Sequence, residues 1–346
     1  MDRRTTTDDA PTPRAPRLRW RRTVPILLLL ALAVHTLLPQ LASLEAAAGV
    51  MQQLRWWAVA LAVAAQVASY WGNAFTIQSS ARLTGDRLSI GDSAKLALAA
   101  STVGLLAGGP LGYAAATYHW AHQRGLSRDA AVLCGWVPAL FNMLMLVALG
   151  LLGALELLRR NLLPHGELVA VLVVGVTVGA LLAAGAWLVA REERMIAAAK
   201  QLRRGWRRVR RRPRGADDDD ERQAMRRLAN ARRHLGHGGW HRPLAGASAN
   251  AGFDMLTIAL LFTAAHSTLS PATLLAGYGL PLLLGRVSFL PGGIGIVEGG
   301  MVGAYHLVGV PTTTSVLVVL AYRGLSFWLP TLCGLPLAVL MQRGTR

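Results

Sequence analysis

Eight apolar stretches dominate this chain: 24–44, 56–75, 96–118, 130–155, 168–190, 244–265, 273–307 and 315–341. A helix needs about 20 mostly apolar residues to cross ~30 Å of hydrocarbon, and within that layer every backbone N–H and C=O must find its partner inside the protein. The pattern predicts an all-α polytopic membrane protein. Composition agrees: 53% of the 346 residues are hydrophobic and only 16% are charged, most of those gathered in two places.

Those two places set the topology. Residues 1–23 read as a disordered basic arm, and the linker 191–243 carries 17 Lys and Arg against 7 Asp and Glu. Short basic segments stay in the cytoplasm. Topology therefore explains the excess of 36 Lys and Arg over 18 Asp and Glu better than nucleic-acid binding, which would need a folded basic face. The stretch 24–44 is too long for the apolar part of a signal peptide and lacks a clear small-residue cleavage site, so it reads as an uncleaved first helix. Cys134 and Cys333 stand alone in apolar segments, which points away from a disulfide framework or a cysteine-based metal site.

Counting crossings exposes a problem. With the arm inside, the first span exits and the second returns, leaving Arg82, Arg87 and Lys95 in the cytoplasm. Three segments then precede the basic linker, and three crossings would put it outside. One of them must enter and leave on the same face. The candidate is 96–118, which "LLAGGPLGY" interrupts with Gly108, Gly109 and Pro110. Glycine permits a sharp reversal and proline lacks an N–H for the helical ladder. In the second half, 244–265 exits, 273–307 dips in and returns at "LPGGIG" through Pro291, Gly292 and Gly293, and 315–341 crosses back.

The expected architecture is a helical bundle of about six full spans plus two broken, re-entrant segments related as inverted repeats. The first membrane half is 24–190 with its break at 107–112, the second is 244–341 with its break at 290–295, and 342–346 is a cytoplasmic tail. Sliding one half over the other by 184 positions supports this: Leu106, Gly108, Gly109, His122, Gly125, Val132 and Leu133 fall on Leu290, Gly292, Gly293, His306, Gly309, Val316 and Leu317. Inverted repeats place a substrate site where their broken helices meet.

The stretches "GRVSFLPGGIGIVEGG" (285–300) and "GVPTTTSVLVVLAYRGLSFWLP" (309–330) resemble the lysylphosphatidylglycerol synthase transmembrane family, also called flippase-like domain proteins. In length and layout the resemblance covers about 24–341. It implies a membrane domain that occurs alone or fused to a soluble aminoacyl transferase, and that is associated, in the fused members, with moving lipid between leaflets. It also puts Arg286, Pro291, Gly292, Gly293, Glu298, Tyr322 and Arg323 on family-typical positions. The first half departs from the family pattern, because 107–120 contains no Asp, Glu, Lys or Arg. The linker is too short and too polar for a catalytic core, so the expectation is a stand-alone, non-enzymatic protein that needs no cofactor or metal.

An unpaired charge at mid-bilayer costs roughly 2.5–3.5 kcal/mol, so Arg286, Glu298 and Arg323 should pair, face the bundle interior or meet water. Glu298 and Arg323 form either a structural pair or part of a phosphate site, for which arginine's planar fork is suited. Asp254, four residues after Asn250, is an intramembrane acid and so a functional candidate. The candidate substrate-binding set is thus Arg286, Glu298, Arg323, Asp254 and Tyr322. Tyr70, Asn73, Asn142 and Asn250 should join helices by hydrogen bonds. "GGIGIVEGG" resembles a dinucleotide fingerprint but follows no strand, and His234, His237 and His241 sit in a Gly-rich loop that reads as solvated. The run "RRVRRRPR" beside "DDDDE" favours anchoring to anionic inner-leaflet headgroups.

The functional expectation is a flippase-like protein of the cell membrane, both termini cytoplasmic, moving an anionic phospholipid or a polyprenyl-phosphate-type lipid between leaflets. A secondary transporter of a small anion and a non-transporting scaffold for cell-envelope enzymes are the alternatives. A cysteine placed at Ser127 in a cysteine-free background should react with a membrane-impermeant thiol reagent only from the cytoplasmic side; labelling from outside would refute the first hairpin.

Overall fold

The computed structural model describes residues 53–106, 109–160, 239–287 and 290–343, and every regular element among them is helical. The basic arm, the first and fifth expected spans, most of the linker, Gly108 and the last three residues lie outside the described residues. In chain order the elements are α1 (Trp56–Arg82), α2 (Ile90–Leu106), α3 (Gly109–Gln123), α4 (Arg128–Arg159), α5 (His241–Ala264), α6 (Pro271–Val287), a 3₁₀ turn (Pro291–Gly293), α7 (Ile296–Leu307), α8 (Thr312–Arg323), a π-helical turn (Gly324–Trp328) and α9 (Leu329–Arg343).

α1 and α5 form the centre. Along α1 the buried face reads Ala58, Ala62, Ala65, Ser69, Gly72 and Thr76, small residues at three- and four-residue spacing. Small side chains let two backbones approach closely, which is how helices associate where apolar burial gives no advantage over lipid. The approach is tight: a Cβ on Gly72 would lie 2.6 Å from the backbone nitrogen of Asn250, and one on Gly246 would lie 2.9 Å from the Gly72 carbonyl oxygen. Asn250 Nδ2 donates to the Ser69 carbonyl at 2.9 Å, and Ser69 Oγ donates back to the Asn250 carbonyl at 2.9 Å. At the far end, Arg55 N–H donates to the Ala264 carbonyl at 3.0 Å. The start of α1 therefore lies beside the end of α5, and the two helices run antiparallel.

Each of these helices leads into a hairpin. α2 and α3 double back, since Asp92 at the start of α2 lies 4.0 Å from Arg124 just past α3. α6 and α7 do the same, with the Tyr305 hydroxyl donating to the Leu274 carbonyl at 3.3 Å. The chain from 96 to 118 thus turns back rather than running through. Because α1 and α5 are antiparallel, the hairpins that follow them enter from opposite ends of the bundle, as inverted repeats require. The expected break at 107–112 is narrower than its sequence suggests: α3 already begins at Gly109, with φ +62°, so Pro110 occupies a first-turn position where its missing N–H leaves no bond unmade.

The 184-residue shift holds in three dimensions. It carries α4, Arg128–Arg159, onto the stretch from the start of α8 to the end of α9, Thr312 to Arg343. Each long helix packs on the other repeat's hairpin. Gly150 of α4 faces Leu283 and Gly279 of α6, and its shifted equivalent, Gly334 of α9, faces Leu98 and Thr102 of α2. Thr102 Oγ1 also donates to the Thr331 carbonyl at 3.3 Å.

The outer surface is apolar. Leu151, Leu152 and Leu155 of α4 and Leu332, Leu335 and Leu340 of α9 are exposed, the reverse of a water-soluble helix and what lipid-facing sides require. Exposed Trp56 and Trp57 open α1, and exposed Trp240 precedes α5 at the opposite end, where an aromatic belt would meet each interface. With three helical stretches long and apolar enough to cross a bilayer among the described residues, the chain is an all-α membrane protein.

A direct consequence concerns the central crossing. Gly72→Leu should destabilise the protein in detergent by about 1–3 kcal/mol, because its Cβ meets backbone rather than a movable side chain. Gly252→Ala, in α5 but with open space around it, should be neutral or stabilise by up to about 1 kcal/mol. Thermal unfolding of the two variants makes the comparison.

Candidate functional site

The two elbows meet. Gly292, at the tip of the α6–α7 hairpin, has φ +65°, and a Cβ added there would lie 2.9 Å from Leu105 Cδ1, one residue from the end of α2. Phe327 of the π turn closes the same contact from the other side. Gly293 and Gly295 continue the left-handed backbone at φ +66° and +85°, conformations that only glycine adopts without strain.

Irregular backbone here exposes groups that lipid cannot satisfy, and a single ion pair answers two of them. Glu298 sits in the first turn of α7, where Oε2 accepts from the Gly295 N–H at 2.7 Å. Oε1 accepts from Arg323 Nε at 2.6 Å, and Arg323 Nη2 donates to the Gly292 carbonyl at 3.1 Å. The guanidinium carbon lies 4.2 Å from the centre of the Phe327 ring. Both side chains are buried, Glu298 at 7% and Arg323 at 5% exposure. The pair clamps the second elbow onto α8.

Asp254 is the hub of a second cluster. Its Oδ2 accepts from the hydroxyls of Tyr278 and Tyr322, each at 2.6 Å, and its Oδ1 accepts from Gln66 Nε2 at 3.0 Å. One carboxylate thereby ties α1, α5, α6 and α8 together. Tyr322 immediately precedes Arg323, so the two clusters share α8. Of the helix-joining residues expected from sequence, Asn142 Nδ2 donates to Asn73 Oδ1 at 3.2 Å, and the Tyr70 hydroxyl donates to the Leu325 carbonyl.

Arg286 differs from its neighbours. It lies in the last turn of α6 beside the elbow, exposed, and forms no ion pair with any carboxylate among the described residues. Arg323, Tyr322, Asp254 and Tyr278 are its electrostatic neighbours. Both acids near it are already occupied, Glu298 by Arg323 and Gly295, Asp254 by three donors.

The structure thus brings all five sequence candidates, Arg286, Glu298, Arg323, Asp254 and Tyr322, to one region around the second elbow. It adds Gln66, Tyr278 and Phe327, which sequence reasoning missed. A glutamine in the apolar first half of α1 was the available signal for Gln66. The π turn at 324–328 was also missed; it interrupts the last span one residue past Arg323, and extra backbone at such turns marks functional sites.

Because both charges are buried, removing one strands the other. Arg323→Leu should cost about 3–5 kcal/mol, and Glu298→Leu a similar amount. The double variant should recover much of either loss, a coupling that chemical denaturation of the four proteins in detergent would measure.

The wider comparison is consistent with this layout. A UPF0104 membrane protein of Methanothermobacter thermautotrophicus is 31% identical over 81 residues, 23% of this chain and 24% of the relative, so the match spans about a quarter of that protein's length. The family model described as the lysylphosphatidylglycerol synthase TM region matches residues 24–334, an interval that holds both hairpins, the Glu298–Arg323 clamp, the Asp254 hub and Arg286. The chain belongs to the lysylphosphatidylglycerol synthase transmembrane-region family.

Proposed function

We propose that this protein carries a lipid with an anionic headgroup, a phospholipid or a polyprenyl-phosphate-type lipid, between the leaflets of the cell membrane, with both of its termini in the cytoplasm. The observation that carries the reading is the meeting of the two elbows, Leu105 against Gly292, with Arg286, an exposed residue in the last turn of α6, beside them. Two broken segments entering from opposite sides give each leaflet a route toward one site.

The residues divide the work. Arg286 contacts the headgroup, since its fork of N–H donors matches phosphate oxygens in pairs and the neighbouring acids leave it unoccupied. Glu298 and Arg323 hold the elbow's backbone in the shape that admits the headgroup. Asp254, with Tyr278, Tyr322 and Gln66, fixes the four helices that wall the site. The acyl chains stay in the surrounding lipid along the apolar outer faces of α4 and α9. This is binding and passage rather than covalent chemistry, and it calls for no cofactor or metal.

A small-anion transporter would use the same arginine, but the exposed leucines of α4 and α9 offer an acyl chain a path that a small anion does not need. In proteoliposomes, Arg286→Gln should slow the appearance of labelled anionic lipid in the opposite leaflet by roughly tenfold or more while leaving leakage unchanged. Transfer at the wild-type rate would refute the headgroup assignment. Saturable uptake of a soluble anion without any lipid transfer would favour the transporter reading.

A further inference from the structure

The corner between α1 and α2, at the opposite end of α2 from the first elbow, carries a cavity of about 610 Å³ whose lining includes Arg82, Asp86, Arg87 and Ser89. The corner is built rather than loose. Gln78, buried in α1, donates through Nε2 to the Leu88 carbonyl at 3.1 Å and so fixes the far side of the turn. Asp86 Oδ2 accepts from the Ser127 N–H at 3.0 Å and from Ser127 Oγ at 2.5 Å, which fastens the turn to the start of α4.

The charges here are unevenly matched. Lys95 and Arg124, close by, both approach Asp92, at 3.9 and 4.0 Å. Arg82 and Arg87 are exposed, and neither forms an ion pair with a carboxylate among the described residues. The single acid in the lining, Asp86, has one oxygen committed to Ser127. Two arginines therefore line one cavity without an ion-pair partner among the described residues. Arg82 is also the last residue of α1, so its head group emerges where an apolar span ends and lipid phosphates begin. Cavities of this size accommodate small ligands.

We propose that this corner binds a phosphate-bearing anion between Arg82 and Arg87. The anion is presented by an anionic phospholipid headgroup of the adjoining leaflet or by a soluble phosphate compound, since the recognising chemistry is the same. The site is independent of the carrier reading and of Arg286.

The test uses the full chain in detergent at low salt, titrated calorimetrically with dihexanoylphosphatidylglycerol, dihexanoylphosphatidylcholine and inorganic phosphate. Wild type should bind phosphatidylglycerol, and Arg82→Gln/Arg87→Gln should weaken that binding roughly tenfold or more. Added salt should weaken it as well. Arginine-dependent binding of inorganic phosphate too assigns the soluble source; binding of phosphatidylglycerol alone assigns the lipid. The proposal is overturned if wild type binds neither anion, if phosphatidylcholine binds equally well, or if the double variant binds like wild type. Should the double variant fail to fold, Arg87→Gln alone, on an exposed turn, must still show several-fold weakening. Repeating the titration in Arg286→Gln, which leaves this corner intact, separates a failure here from a failure of the carrier site.

Discussion

The clamp between Glu298 and Arg323 is the contact on which the second elbow rests. Hydrocarbon supplies no hydrogen-bond partner, and each backbone group left bare at that depth costs several kcal/mol. A helix avoids the cost by closing its own ladder, but a chain that reverses inside the membrane cannot. Here the carboxylate takes the Gly295 N–H and the guanidinium takes the Gly292 carbonyl, while the two charges neutralise each other. An arginine and a glutamate that look forbidden in an apolar tract are thus what allows that tract to bend.

The two repeats solve the same problem differently. Shifted by 184, Glu298 corresponds to Ala114 and Arg323 to Ala139, so the first elbow has no counterpart of the clamp. Its gap is also shorter: only two positions separate α2 from α3, whereas eight separate α6 from α7. A short reversal leaves fewer bare groups, and Pro110 at the start of α3 has no N–H to satisfy. Asp254 likewise corresponds to Tyr70, whose hydroxyl reaches the Leu325 carbonyl across the bundle and helps to satisfy the π turn of the other repeat. The shared scaffold is symmetric, while the polar chemistry is concentrated in one half.

Much of the scaffold was legible because glycine and proline act locally. Gly109, Gly292 and Gly293 take positive φ, and the charge count alone required that one segment per half turn back. The internal repeat was visible in a few identities, yet it proved to describe helix ends and the paired glycines Gly150 and Gly334. The convergence on Asp254 was not legible, because it joins Gln66, Tyr278 and Tyr322 from three different helices, and no spacing along the chain encodes which faces will meet. The π turn escaped for a related reason. One of its carbonyls, that of Leu325, accepts from the hydroxyl of Tyr70, more than two hundred residues away, and Gly324 alone could not announce that pairing.

The balance of donors around the second elbow has a consequence for selectivity. Arg286, Arg323, Glu298 and Asp254 sum to a formal charge of zero, so the region does not bear the self-energy of an uncompensated ion inside the membrane. Hydrogen-bonding capacity is not balanced in the same way. Both oxygens of Glu298 and both of Asp254 are engaged within the protein, whereas Arg286 makes no ion pair among the described residues. A guanidinium can only donate. A group bearing acceptor oxygens would therefore meet a site that is electrically quiet at a distance and rich in donors at contact. Such a site would discriminate through the number and direction of acceptor oxygens more than through net charge, the property that the proposed carrier role would need in order to hold a phosphate and still release it.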